Sequence, residues 1–462
     1  MDFLHSVYDI VSGLGSFLLI PVFFFLLGLV ARVGFQRAGQ CALAVLGSTV
    51  AIQLLISTLT GQLQTLVNSM IDTYSLSTGA DNLHWQTAAE MTLNSDILYW
   101  VLPGAVLLNL LMLALKVTRV LNMDLWSLWQ AAFVGVLVQQ LTGESWYGLT
   151  AAALMIVLHI ILADVFAPAV ARMTGAAHIT FTQSFAVGAA PLAWLVNFVI
   201  GKIPGLRDRR FCLESSRRGS FLLEPSLWGL AAGMIIGLAA GLELYDAVAF
   251  ALVLAGCIFA LPRLLRVFGK AAATVLEPLA ARTMRHGRLP LNVAVNAVVG
   301  TANATTLLSA VILVPVTVLL ATVLPGNIVL PQGDIAMLLY LMIFVTALCD
   351  KCLLRSLFTG ALSAVAMLYS GTLLTYLFTD AAKAMDAAAY GSGQFNTLCN
   401  TANPLSLLFV EGASFGVAGI AALAVLVLGI VFLAGRRLRR LTHRMVGQQT
   451  AAGEAKHSAE GE

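Results

Sequence analysis

Two polar stretches set inside an otherwise apolar chain restrict what this sequence can become. The first is His178-Ile-Thr-Phe-Thr-Gln-Ser-Phe-Ala-Val-Gly-Ala-Ala-Pro191. It lies between long apolar runs yet carries Thr180, Thr182, Gln183 and Ser184. The second is Gly391-Ser-Gly-Gln-Phe-Asn-Thr-Leu-Cys-Asn-Thr-Ala-Asn-Pro404, and both close on Pro-Leu before a further apolar run. The two prolines stand about 210 residues apart, close to half of the 462-residue chain. Hydrophobic residues make up 59% and charged residues 11%, where soluble domains carry about 25% charged. The chain therefore reads as a polytopic membrane protein. At membrane depth, irregular backbone is tolerated only where protein buries it or it lines a watery cavity. A polar segment broken by Gly and Pro predicts a re-entrant hairpin at a solute site, and two of them half a chain apart predict an inverted repeat.

Runs long enough to cross a bilayer, roughly 17–25 residues, fall near 13–32, 40–58, 96–116, 129–142, 147–170, 226–243, 245–262, 305–324, 335–349, 356–378 and 412–434. That gives an all-α fold of about 11 transmembrane segments plus the two hairpins. Some runs are short, which predicts broken or tilted helices. The cluster Arg436, Arg437, Arg439, Arg440, His443, Arg444 follows the last run. The positive-inside rule places that end in the cytoplasm, with the basic loops Lys202 to Arg218 and Arg263 to Arg288 on the same side. Cations so placed are topology signals, and no nucleic-acid partner is expected. Six cysteines are scattered, and Cys349-Asp-Lys-Cys352 has no second pair or His cluster beside it. No metal and no cofactor are expected. The N-terminus lacks a basic region and a small-residue cleavage site, so no cleavable signal is expected.

Other polar segments have plainer readings. Gly61 to Asp96 predicts an amphipathic surface helix plus loop. Trp126 and Trp129 suit a membrane interface. Glu224, just before a run, is either an acid at a helix N-terminus or a functional carboxylate. Arg263 to Arg288 reads as a cytoplasmic helical linker, and Asn292 to Thr306, small and polar, as a cavity lining. The tail after Met445 reads as disordered.

Four blocks carry a resemblance to a known family. They are Thr118-Arg119-Val-Leu-Asn122-Met-Asp124-Leu-Trp126, Lys202-Ile-Pro-Gly-Leu206, Glu224-Pro225, and Leu324-Pro-Gly-Asn-Ile-Val-Leu-Pro-Gln-Gly-Asp-Ile-Ala336. In this order, and with the spacing of Pro103, Asn109, Arg119 and Trp126, the chain resembles the galactitol-type enzyme IIC components of the phosphoenolpyruvate-dependent phosphotransferase system (PTS). The resemblance implies a homodimer in the bacterial cytoplasmic (inner) membrane. It implies a V-motif scaffold domain from residues 1–95 and 220–290, a core substrate-transport domain from 96–219 and 291–434, and a cytoplasmic tail from 435–462. It implies a polyol or sugar substrate, carried by an elevator-type movement and phosphorylated by separate IIB and IIA subunits. The chain would be the membrane subunit of that complex, with no phosphorylation site of its own.

The departures follow a pattern. Where the family carries a histidine, this chain has Gln183 in the hairpin, Gln139 before the turn of its first half, Asn303 before the eighth span, and Cys349 in the ninth-to-tenth connection. Leu223 replaces a family glycine. An amide keeps a donor and an acceptor but cannot titrate, so a neutral polyhydroxyl solute fits better than one needing a cation. Substrate-binding candidates are Gln139, Thr182, Gln183, Ser184, Asn303, Asn400 and Asn403; candidate functional carboxylates are Glu224 and Asp350. For each amide the alternative is glue between helices, and for Asn403-Pro404 a turn. Asp350-Lys351 reads as a mutually neutralised pair. His159 and Asp164 suggest a proton relay, set against a structural histidine. Two other functions stay open: an ion-coupled secondary transporter of similar fold, and a degenerate, non-transporting member acting as a sensor or scaffold.

Overall fold

The computed structural model describes residues 19–77, 79–203, 224–285 and 287–460, with side chains as far as His443. Residues 13–18 of the first run lie outside the described residues. So do the Pro-Gly-Leu part of the Lys202 block, the rest of that basic loop, and Leu223. Seven helices among the described residues are long and apolar enough to cross a membrane. The other predicted runs fall on shorter helices.

The element order repeats. The first half runs α1 (Leu19–Val30), α2 (Phe35–Tyr74), β1 (Asp81–Asn82), α3 (Trp85–Leu93), α4 (Asp96–Ala114), β2 (Val120–Asn122), α5 (Leu125–Thr142), α6 (Ser145–Thr174), β3 (Ile179–Thr180), α7 (Ser184–Gly188) and α8 (Ala190–Ile200). The second runs α9 (Pro225–Ala239), α10 (Leu244–Arg285), β4 (Asn292–Ala294), α11 (Val298–Thr301), α12 (Ala304–Val323), α13 (Ala336–Leu348), α14 (Leu353–Met385), β5 (Phe395–Asn396) and α15 (Pro404–Ala413), followed by α16 (Gly416–Glu460). Corresponding elements lie about 210 residues apart throughout. Each half contributes a shorter and a long helix, a short strand and helix, three further helices, and a strand leading into a Pro-started helix.

The strands lock the halves together. One sheet has the order β2-β4-β3, all parallel, so a strand of the second half sits between two of the first. The other pairs β1 with β5, and Ala80 bridges to Val329, so a strand of the first half sits between two segments of the second. None of these two- and three-residue strands was foreseen in an all-α reading. Their cause is physical: where a helix breaks inside a bilayer, its N–H and C=O groups must find partners within the protein.

Three expectations are corrected. The basic stretch 263–288 is no separate linker, because α10 continues for 42 residues to Arg285. The helix that opens the segment 61–96 is no separate surface helix but the end of the 40-residue α2, to Tyr74, and β1 and α3 follow it. The tail is not irregular, since the helical backbone of α16 runs to Glu460. A long apolar span raises the helical preference of the polar turns that follow it, because propagation costs far less than nucleation.

α9 and α10 pack along a stripe of small residues. A Cβ added at Gly229 would lie 2.5 Å from Ile258 Cδ1, and one at Gly233 would lie 2.7 Å from Ala251 Cα. Membrane helices associate through such close backbone approach, since lipid supplies no hydrophobic drive between them. α2 packs on the same α10. The helices α4–α8 and α12–α15 form the second packing group.

Candidate functional site

Both hairpins open with an amide that caps a helix. Gln183 Oε1 accepts from Ala186 N at 2.9 Å and starts α7. Asn403 Oδ1 accepts from Leu405 N at 3.0 Å and starts α15, with Pro404 at its first position. Capping satisfies N–H groups that the helix cannot pair itself. It also fixes where the remaining amide atoms point. Asn403 Nδ2 donates across to Ser184 O and Ser184 Oγ, both at 3.1 Å. The hairpins therefore meet directly, and Gly188 allows it: a Cβ there would stand 2.4 Å from Asn403 Oδ1.

A residue absent from the sequence-based candidates joins the two. Gln130 of α5 is fully buried. Its Oε1 accepts from Ser184 N at 3.0 Å, its Nε2 reaches Cys399 Sγ at 3.5 Å, and its carbonyl accepts from Asn400 Nδ2 at 3.3 Å. One side of the junction is held by β2. Thr182 Oγ1 donates to Asn122 Oδ1 at 2.8 Å, and Asn122 N donates to Asn109 Oδ1 at 2.9 Å. Asn109 Nδ2 in turn donates to Val120 O at 2.8 Å, which ties α4 to the same strand.

Two aspartates occupy equivalent places in the repeat, each just before a helix. Asp334 is fully engaged: it accepts from Trp85 N at 2.7 Å, from Thr397 Oγ1, and from Cys399 N at 3.4 Å. Asp124 caps α5 through Oδ1, which accepts from Trp126 N at 3.2 Å, while its buried Oδ2 has no partner among the described residues. Asn400 Oδ1 is buried and unpartnered in the same sense. Trp126 and Trp129 form a cluster with Trp85, with ring centroids 4.8–6.2 Å apart. An unpaired buried carboxylate or carbonyl oxygen costs about 1–3 kcal/mol or more. A hydroxyl-bearing solute or water would supply the donors these oxygens lack.

The structure thus brings Thr182, Gln183, Ser184, Asn400 and Asn403 together and leaves the other candidates elsewhere. Asn303 Oδ1 accepts from Thr305 N and Thr306 N, and its Nδ2 donates to Met173 O, so it caps α12. Gln139 donates to Ser145 Oγ at 2.8 Å at the exposed turn between α5 and α6. Glu224 holds the N-cap position of α9 without a side-chain cap bond. Asp350 sits in a left-handed turn with Lys351, and its carboxylate meets Arg172 at 3.2 Å, both side chains well exposed. The relay is not formed: Asp164 is bound to Arg119 Nε at 2.8 Å, to Arg119 N and to Thr118 Oγ1, and neither ring nitrogen of His159 has a partner among the described residues. No group of three metal-ligating side chains occurs among the described residues.

The sequence signal for Gln130 was a single amide in the run 129–142, next to the more conspicuous Gln139-Gln140. Asp124 and Asp334 stood in the quoted blocks but served there only as markers.

Residues 9–391 match the family described as "PTS system sugar-specific permease component" (EIIC-GAT). A protein of Escherichia coli (strain K12) named "Putative permease IIC component" is 25% identical over 435 residues, covering 93% of this chain and 99% of its own. The "PTS system galactitol-specific EIIC component" of the same strain, and that of Escherichia coli O157:H7, are each 25% identical over 441 residues, covering 94% of this chain and 97% of theirs.

Proposed function

The chain belongs to the sugar-specific permease family of the PTS, and from that premise we propose that it binds a sugar alcohol or related sugar at the hairpin junction and carries it across the bacterial inner membrane. A separate IIB subunit, charged by IIA, phosphorylates the solute at the cytoplasmic face and so withdraws it from the transport equilibrium. The single observation that carries this reading is the junction itself. Two hairpins half a chain apart meet through Ser184, Asn403 and Gln130, and Asp124 Oδ2 and Asn400 Oδ1 remain there with accepting capacity unspent. Neutral amides and lone acceptors suit hydroxyl donors, which a polyol offers on every carbon. Galactitol is the solute named for two of the relatives, and a galactitol-like polyol heads the series to be tested.

The packing supports an elevator reading. α1, α2, α9 and α10 serve as the scaffold of a homodimer, and the hairpin-bearing helices move against them. The basic end of α16 faces the cytoplasm by the positive-inside rule. One observation favours a second reading. Asp124 is a buried carboxylate with a free oxygen, as an ion-coupled carrier would use.

The test is phosphoenolpyruvate-dependent phosphorylation of pentitols, hexitols and their parent sugars by membranes bearing this chain, supplied with its soluble PTS partners. Phosphorylated product is the expected result; uptake driven by an ion gradient with no phosphorylated product would establish the second reading instead. Gln183→Ala should weaken solute binding by about 0.5–1.5 kcal/mol without affecting membrane insertion. Unchanged affinity in that variant would remove Gln183 from the site.

A further inference from the structure

Away from the hairpins, three basic segments distant in sequence converge on one cavity of about 440 Å³. The end of α4 and the residues after it supply Lys116 and Arg119, the turn after α10 supplies Arg288, and α16 supplies Arg439. Arg119 is answered by Asp164 at 2.8 Å. The side chains of Lys116, Arg288 and Arg439 have no ion-pair or hydrogen-bond partner among the described residues, and no acidic side chain among them lines the cavity. The remaining wall is apolar, including Leu113, Leu289 and Leu438. The volume falls in the roughly 300–1,000 Å³ range of small-ligand sites.

Cations at helix ends are ordinarily topology signals, and one or two of them also offset the carbonyl end of a helix. That accounts for Lys116 after α4. It does not account for three cations, unanswered among the described residues, from three separate segments around one hollow with leucine walls. Like charges repel, so an arrangement that holds them together gains most when an anion sits among them. Lys116 and Arg288 follow the ends of α4 and α10, and Arg439 follows the apolar part of α16; basic pockets between transmembrane helices at the cytoplasmic surface take acidic lipid headgroups. The apolar wall distinguishes this from a site for a free, fully hydrated anion.

We propose that Lys116, Arg288 and Arg439 bind the phosphate of an anionic phospholipid, with its glycerol and upper acyl chain against Leu113, Leu289 and Leu438. The pocket joins the end of α10 to α4 and α16. A lipid held there ties the long-helix pair to the hairpin-bearing helices from the cytoplasmic side. The site is independent of the solute site and stands whichever transport reading holds.

The experiment uses the full chain purified in detergent, with native mass spectrometry and thermal unfolding as readouts. Added phosphatidylglycerol should bind and raise the unfolding temperature, and phosphatidylcholine should not. The triple variant K116Q/R288Q/R439Q should lose roughly a hundredfold in phosphatidylglycerol affinity. Arg119 is left intact because it holds Asp164. The lipid-free variant should unfold at the wild-type temperature, and should it not, the single variants R288Q and R439Q, each on an exposed side chain, serve with a roughly fivefold to tenfold loss apiece. Equal stabilisation by phosphatidylcholine, undiminished phosphatidylglycerol binding in the variants, or the same shift with inorganic phosphate alone would each overturn the proposal.

Discussion

At the scale of single residues, the account turns on amides that do two things at once. Gln130 pairs with Ser184 N and touches both Cys399 and Asn400, so Gln130→Leu, close in volume, strands a buried N–H. The expected cost is about 1–3 kcal/mol of stability, read by thermal unfolding, with a larger loss of solute affinity than Gln183→Ala causes. Wild-type affinity in Gln130→Leu would dissociate α5 from the site. The Arg119–Asp164 pair is of another kind. Asp164 is buried and accepts from three donors, and Asp164→Ala should destabilise by about 3–5 kcal/mol, because it leaves a largely buried guanidinium unanswered. A loss below about 1 kcal/mol, the size of an exposed pair such as Arg172–Asp350, would contradict that. Residue identity alone did not separate the two aspartate roles. Asp350 adjoins Lys351 in the sequence, whereas Asp164 finds its partner Arg119 only through the fold, and burial sets the two aspartates apart.

At the scale of elements, the two polar segments were legible because their polarity breaks an apolar background and both close on Pro-Leu. Their meeting was not legible, since contacts across about 220 residues leave no trace in local pattern. The strands were hidden for a related reason. Two or three residues carry no usable periodicity, and β4 pairs with partners from the opposite half. Asn303 shows the limit of reasoning by residue type. It occupies a family histidine position and is an amide like Gln183, yet it serves as a helix cap against Met173 O. Packing makes its own predictions. Gly188→Ala should push the Asn403 amide off Ser184 and lower solute affinity, while its gain in helix propensity, up to about 1 kcal/mol, keeps the fold intact. Unaltered affinity would show that the hairpins need not touch. Gly233→Leu should drive α9 from α10, where Ala251 leaves no room, and should lower the yield of folded protein in detergent. A well-folded variant would contradict the close approach.

At the scale of the whole molecule, the repeat explains why one chain brings two polar segments, half a chain apart, into contact. Each half supplies a hairpin, and each half lends the middle strand to the other half's sheet. The halves cannot separate without exposing backbone polar groups at membrane depth, which costs several kcal/mol for each unsatisfied group. Movement is therefore expected between the hairpin-bearing helices as one body and the α2, α9 and α10 group, rather than between the two halves. Basic residues after α4, after α10 and within α16 gather around one cavity. The central claim is that this body hands a polyol to a phosphorylating partner. The most direct measurement is phosphoenolpyruvate-dependent formation of polyol phosphate by membranes carrying the wild type and Gln130→Leu, given the same soluble PTS proteins. The account predicts phosphorylated polyol from the wild type and a sharply raised half-saturating polyol concentration for Gln130→Leu. No phosphorylated product from the wild type with any pentitol, hexitol or parent sugar, alongside intact membrane insertion, would contradict it.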